Sequence, residues 1–464
     1  MSQVDLGVAT SGSLRTQTLP RKQRRAIGRR LRGDVPRSAL SRWDPALRRH
    51  EPLDLVAASH QGRVPWLVPV RYGRMAASPY GFLRATAVVM ADDFARLPAT
   101  GIEPVICGDA HMGNIGFYAS PERRLVLDLN DFDEAHPGPW EWDLRRLTTS
   151  LWIAGRQNSM AEQACEAAVR ACVASYRGHL EELYTRPLLA RSYDELDVER
   201  LHAAASDATF AAQIDRAAKR ARKRTSDRAL PRFTEEFEGR RSIVEEPPLI
   251  THLSPAEFDD LADGLDGYLA TLAPHWQRVL GGYHLVDIVL KVVGVGSVGL
   301  RAYIALLEGA SSDDVVFLQL KQARRSVVAP FVHGEAARHA HQGHRVVEYQ
   351  QALQTVSDPL LGWTSVRDRQ YYVRQFRDMK GDIAVDDLDA AALRDYAGIC
   401  GQLLAKGHAR TTGASLIVGY IGRSDKLDGH IATFARAYAD QTERDHAALV
   451  AAVKRGAIPA EHGV

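Results

Sequence analysis

Residues 107–146 read CGDAHMGNIGFYASPERRLVLDLNDFDEAHPGPWEWDLRR, a dense run of oxygen-bearing side chains set between short apolar stretches. Just before it, Pro104 to Cys107 is a short apolar strand that ends in the polar turn Gly108 to Asn114. Ile115 to Tyr118 and Leu125 to Leu127 flank Ser120-Pro121-Glu122-Arg123, the pattern of a hairpin closed by a turn. Asn130-Asp131-Phe132-Asp133-Glu134 follows, and then a Pro/Gly/Trp loop from His136 to Trp142. The spacing brings Asp109, Asn114, Asp128 and Asp131 together, with Asp133 and Glu134 close behind. Hard divalent cations such as Mg²⁺ take oxygen ligands of this kind, usually one or two carboxylates plus substrate phosphate. Carboxylates also cap turns, but capping does not require a strand, GDxHxxN, a hairpin and DFD in that order.

Asp109 and Asn114 stand at the interval of the Asp and Asn in the protein-kinase catalytic loop, and Asp131-Phe132 resembles the start of the kinase metal-binding triplet, with Asp133 where that triplet has Gly. The block resembles that of aminoglycoside phosphotransferases and choline-kinase-like enzymes, H-G-D-x-x-x-x-N followed by a strand and an aspartate metal ligand. Cys107 replaces the His of that pattern. The resemblance implies Asp109 as catalytic base, Asn114 with Asp131 or Asp128 as Mg²⁺ ligands, and Asp143 as a brace for the loop. His111 either orients Asp109 or bonds the loop.

A second constellation lies far downstream. Gly294-x-Gly296-Ser297-x-Gly299 separates two strand-like runs, a context that suits a flap over phosphates better than a Rossmann turn, which needs a helix after the last Gly. Phe317 to Lys321 places a lysine on the next strand, where it reaches the phosphates of ATP. The helix expected over 333–355 offers Glu335 or Glu348 as that lysine's partner, with Glu348 favoured for its apolar neighbours Val346 and Val347. In ordinary kinase-like chains these parts precede the catalytic loop; here they follow it by about 185 residues. The expectation is therefore an α+β, protein-kinase-like two-lobe fold in circularly permuted order. Packing does not depend on connectivity, so such an order is physically tolerable. Two helices, 79–97 and 389–407, compete for the place just before the catalytic loop.

The rest of the chain fits around these parts. Its 464 residues are 45% hydrophobic and 25% charged, with 59 Lys+Arg against 57 Asp+Glu, which excludes a mostly disordered chain and gives no global pull toward nucleic acid. No uncharged apolar run reaches 18 residues, and the basic N-terminus has no apolar stretch behind it, so a cytoplasmic protein without a membrane span is expected. The four cysteines lack CxxC spacing, and Cys165 and Cys172 fall on the stripe of one helix with Val169, Tyr176, Leu180 and Leu183. Residues 1–33 read as a flexible basic arm, a solvated terminus before a contact for nucleic acid or an anionic surface. Residues 34–280 form a helical lobe carrying the loop, 281–385 a nucleotide-binding sheet lobe, and 386–464 closing helices. Arg71, Arg74 and Arg84, or Arg374, Arg377 and Lys380, are candidates to receive phosphate or an acidic acceptor, although surface or internal pairing is the commoner fate of such residues.

From about residue 30 to 450 the chain resembles the bacterial family catalogued as domain of unknown function 2252. DVPRSAL, LVPVRYGRMAASPYGFLRA, CGDAHMGN, NDFDEAHPGPWEWDLRR, VVGVGSVGLRAYIALLEG, YYVRQFRDMKG and AYADQTERDHAAL carry that resemblance. It implies no substrate. The site motifs imply an ATP- and Mg²⁺-dependent phosphotransferase acting on a hydroxyl of an unidentified acceptor. A nucleotide-binding pseudokinase or interaction module is the alternative, and a metal-dependent phosphoesterase ranks lower because Ile115 and Gly116 follow Asn114 where such sites carry further ligands.

Overall fold

The computed structural model describes residues 15, 19–237, 240–292, 294–332, 339–411 and 414–463. Helices dominate, and antiparallel sheets complete an α+β chain. The centre of the helical part is Trp140–Gln157, buried on every side from Trp140 to Gly155. A helix with no exposed face lies inside a shell of others, and Glu162–Thr185, Ala390–Thr411 and Lys426–Lys454 supply that shell. Cys165, Val169, Cys172, Tyr176, Leu180 and Leu183 form the expected buried stripe, and all four cysteines are buried free thiols. Gly401 sits where Ala390–Thr411 touches Glu162–Thr185; a Cβ there would lie 2.1 Å from the Cys172 carbonyl oxygen.

From Arg21 onward the basic N-terminal stretch, expected as a flexible arm, is helical. Arg21–Asp34 is a helix docked on Ala414–Ile421, with Gly28 pressed against the Leu416 carbonyl. Its arginines find acceptors: Arg32 Nε and Nη2 donate to the carbonyls of Tyr420 and Gly419, each at 2.6 Å, and Arg25 pairs with Glu181 at 3.1 Å. Cations at the C-terminal end of a helix meet its unpaired carbonyls and the negative end of its dipole. Residues 1–14 and 16–18 of the arm lie outside the described residues. The single helix expected from Pro79 to Leu97 is instead two, Pro79–Ala85 and Ala87–Phe94. They part at Thr86, whose hydroxyl donates back to the Phe82 and Leu83 carbonyls, the competition that makes Thr a poor interior residue.

The main sheet is six-stranded and antiparallel, in the order Gly362–Val366, Arg369–Gln375, Val315–Ala323, Ala302–Glu308, His284–Lys291, Ile250–His252. This unit reaches upstream of residue 281, because Ile250–His252 is its edge strand and Pro255–Leu269 packs on Gly362–Val366. Successive side chains of a strand point to opposite faces. Leu318 and Leu320 join one apolar cluster, while Val315 and Phe317 join another on the opposite face. That second face continues as Gln319 and Lys321, which leave the apolar cover and reach a cleft shared with the helical part. No helix among the described residues is long and apolar enough to cross a membrane.

Candidate active site

The turn Gly108–Asn114 is fixed from behind by the buried helix. Cys107 N–H and Gly108 N–H donate to the two carboxylate oxygens of Asp143 at 2.6 and 2.9 Å, and His408 Nε2 lies 3.3 Å from the same group. Met112 N–H donates to Ser150 Oγ at 3.0 Å, and the Tyr396 hydroxyl to the Met112 carbonyl at 2.9 Å. Of the two helices expected to compete for the place beside the loop, Ala390–Thr411 is thus bonded to it through Tyr396 and, by way of Asp143, through His408. Gly108 has φ +74, and a Cβ would meet the Glu134 carbonyl oxygen at 2.3 Å, so only glycine allows this approach.

Asp109 projects from the turn into an ion pair with Arg146. Burial pushes its carboxyl up to about 7; Arg146 opposes that rise, while Asp131 and Glu134 add to it. Asn114 Nδ2 donates to the Asp109 carbonyl at 2.8 Å, and no described residue bonds its Oδ1. Asp131 Oδ1 accepts from Asp133 N–H at 3.3 Å and lies 3.8 Å from Lys321 Nζ; its Oδ2 has no hydrogen bond to a described residue. Cys107, standing where the phosphotransferase pattern has His, donates its thiol to the Asp131 carbonyl at 3.2 Å and so ties the two acidic segments together. His111 is buried, with Nδ1 unpartnered among the described residues and the ring edge-on to Tyr80. Burial, together with Arg84 and Arg146, holds its pKa well below the usual value, so the ring is neutral.

The glycine loop arrives from the sheet. Gly294 to Leu300 links His284–Lys291 to Ala302–Glu308, a strand–loop–strand unit tightened by Ser297 N–H to the Gly294 carbonyl at 2.9 Å. Gly299 takes φ +84 against the Arg63 side chain, behind the tip of the loop. Lys321 is buried 2.5 Å from Asp133. Burial pulls its pKa down, but Asp131 and Asp133 push it well above the ordinary lysine value. In turn Lys321, Tyr372 and Arg374 hold Asp133 below the carboxylate range in spite of its burial. Asp109, His111, Asn114, Asp131, Gly294, Gly296, Ser297 and Lys321 all line one cavity of about 150 Å³. A second cavity of about 220 Å³ adjoins it at Asn114 and Asp131 and extends to Gln375, Lys380 and Gly381, where the last strand in chain order, Arg369–Gln375, leaves for the helical part.

Two expected members are elsewhere. Asp128 pairs with the buried ammonium of Lys406 and also receives the Leu129 N–H, because strand alternation turns it away from the cleft that Asp131 enters. Glu348 is half-exposed and sits 3.2 Å from His339 rather than near Lys321. The helix Gln342–Leu353 turns Arg345 inward instead, and its guanidinium donates to the carbonyls of Ala135, Asp133 and Arg324. Glu335 lies outside the described residues. Among the described residues no three His, Cys, Asp or Glu side chains are grouped to chelate a metal.

Arg84, a sequence candidate for an anion, lines the cavity beside Lys321, whereas Arg146 and Tyr372 belong to the site but were not singled out by sequence reasoning. Arg146 was within reach of it: Asp143, Arg146 and Ser150 fall at helical steps of three and four, one face that serves the whole turn. No curated protein and no solved structure matches the chain. A family described as "Uncharacterized protein conserved in bacteria (DUF2252)" matches residues 63–452, which is most of the chain, and the protein belongs to that family.

Proposed function

We propose that the protein is a kinase-like phosphotransferase of circularly permuted order that uses ATP and Mg²⁺ to phosphorylate a hydroxyl. One observation carries the reading: the glycine loop and Lys321, encoded about 185 residues after Asp109, line the same cavity as Asp109, Asn114 and Asp131. The sheet supports it too, with the glycine loop between two adjacent strands, the lysine on the next, then a helix and two more strands. The donor set fits the cofactors. Asn114 Oδ1 and Asp131 Oδ2 are two hard oxygens without a hydrogen-bond partner among the described residues, suited to Mg²⁺ when phosphates complete its shell.

In this reading Asn114 and Asp131 hold the cation and Lys321 steadies phosphate oxygens, with Asp133 keeping its ammonium in place. ATP supplies the phosphoryl group when bound. Asp109, held by Arg146, orients the acceptor hydroxyl and takes its proton, a role suited to a carboxyl raised toward neutrality. The glycine loop covers the phosphates. The outward turn of Glu348 favours a second reading, a nucleotide-binding module without transfer, because Lys321 then rests on loop carboxylates rather than on a helical one.

Thermal unfolding of the full chain tests nucleotide use. MgATP at 100 times its Kd stabilises the wild type by about 2.7 kcal/mol, and Asp131→Ala removes most of that shift. No shift with any nucleotide overturns the reading.

A further inference from the structure

The segment from Ser59 to Ala85 folds over the tip of the glycine loop. Val64 N–H donates to the Gly299 carbonyl at 2.8 Å, and Arg63 Nη1 to the Val298 carbonyl at 2.5 Å. Beside that contact lies a recess of about 80 Å³ lined by Ser59, Arg63, Arg71, Arg84 and Ser297, which also reaches Asp109 and Asp131. It is too small for a nucleoside and of a size for one oxyanion group.

Three guanidiniums share this space with Asp133 and Glu134, which favour the charged form of Arg63, yet among the described residues none of Arg63, Arg71 and Arg84 forms an ion pair. Three of the carboxylates that line it are engaged elsewhere, Asp109 with Arg146, Asp133 with Lys321, and Glu134 with the Val327 N–H at 2.7 Å, while Asp131 is the proposed cation ligand. Arg71 is buried and anchored, donating to Ser59 Oγ at 3.1 Å and to the Ala85 carbonyl at 2.8 Å, yet its Nε is buried with no partner. Arg84 makes no hydrogen bond to any described residue, and its Nε is likewise buried and unpartnered. Burial, with Arg71 and Arg324 nearby, lowers the Arg63 guanidinium to about 8. Unpaired buried donors and crowded cations are costly unless an anion joins them. Planar guanidinium forks match phosphate and carboxylate geometry.

We propose that this recess binds the phosphate or carboxylate of the phosphoryl acceptor, so that the acceptor is an acidic small molecule whose hydroxyl is presented to Asp109. The assignment rests on the phosphotransferase reading. Arg84 lines both the recess and the cavity beside Lys321, so it touches the acceptor's anion on one side and faces the transferred group on the other.

The test uses the full chain and inorganic phosphate as probe, titrated calorimetrically with and without saturating Mg²⁺ and β,γ-methylene-ATP. Phosphate is expected to bind the wild type, to keep binding when the nucleotide analogue is present, and to weaken at least about tenfold in Arg63→Gln and Arg84→Gln. Arg63→Lys should recover part of the phosphate affinity; circular dichroism verifies folding of each variant. Absence of saturable phosphate binding overturns the proposal. So does displacement of phosphate by the analogue, which would make the recess the site of the nucleotide's own terminal phosphate. If phosphate binds and is lost in Arg63→Gln while no nucleotide binds at all, the anion site survives, but the acceptor assignment falls together with the phosphotransferase reading.

Discussion

Asp128 and Lys406 bury a carboxylate and an ammonium against each other in the helical core. Burial alone lowers the lysine's pKa, and Asp128 acts against that. Removing one partner of such a pair leaves an uncompensated charge, which costs about 3–5 kcal/mol. Lys406→Met should therefore lower stability by that amount in urea unfolding, and Lys406→Met with Asp128→Leu should regain most of it, since an apolar pair can replace a buried ionic one. A double variant no more stable than the single would show that Asp128 has work elsewhere. Residue types and short spacings were legible in the sequence: Asp109 and Asn114 share one turn, and Asp143 accepts the Cys107 and Gly108 N–H groups at its start. The choice between Asp128 and Asp131 was not. It depends on which strand face each occupies and on a lysine nearly 280 positions away.

Helices pack as closely as their smallest residues allow. Glu162–Thr185 and Ala390–Thr411 meet at Gly401, under a Cys172 carbonyl that leaves no room for a Cβ. Gly401→Val should separate the pair and cost at least about 1–3 kcal/mol, the range for overpacking a tight contact; a variant as stable as wild type would contradict the packing. Apolar periodicity revealed both helices, because a buried stripe repeats at steps of three and four. It could not fix which side of Gln342–Leu353 faces the sheet. Val346 and Val347 are indeed buried, but the adjoining inward position on this face is Arg345, and Glu348 turns to solvent. The N-terminal helix was hidden for a related reason. Arg32 is bonded to carbonyls of Ala414–Ile421 and Arg25 to Glu181, interactions that composition alone cannot distinguish from solvation.

Across the whole molecule the site is assembled from both halves of the chain, and the N-terminal segment then closes over the glycine loop. The order of the motifs was readable from sequence, since each is local. Their convergence was expected only by resemblance, because it requires the sheet to dock on the helical part with Gln319 and Lys321 facing the loop. Hydrogen–deuterium exchange of the full chain, with and without MgATP, measures that convergence most directly. The account predicts simultaneous nucleotide-dependent protection of residues 108–114, 130–134 and 294–300, together with the strand around Lys321. Protection confined to one of these segments, or absent from all of them under saturating nucleotide, would contradict a single permuted ATP cleft.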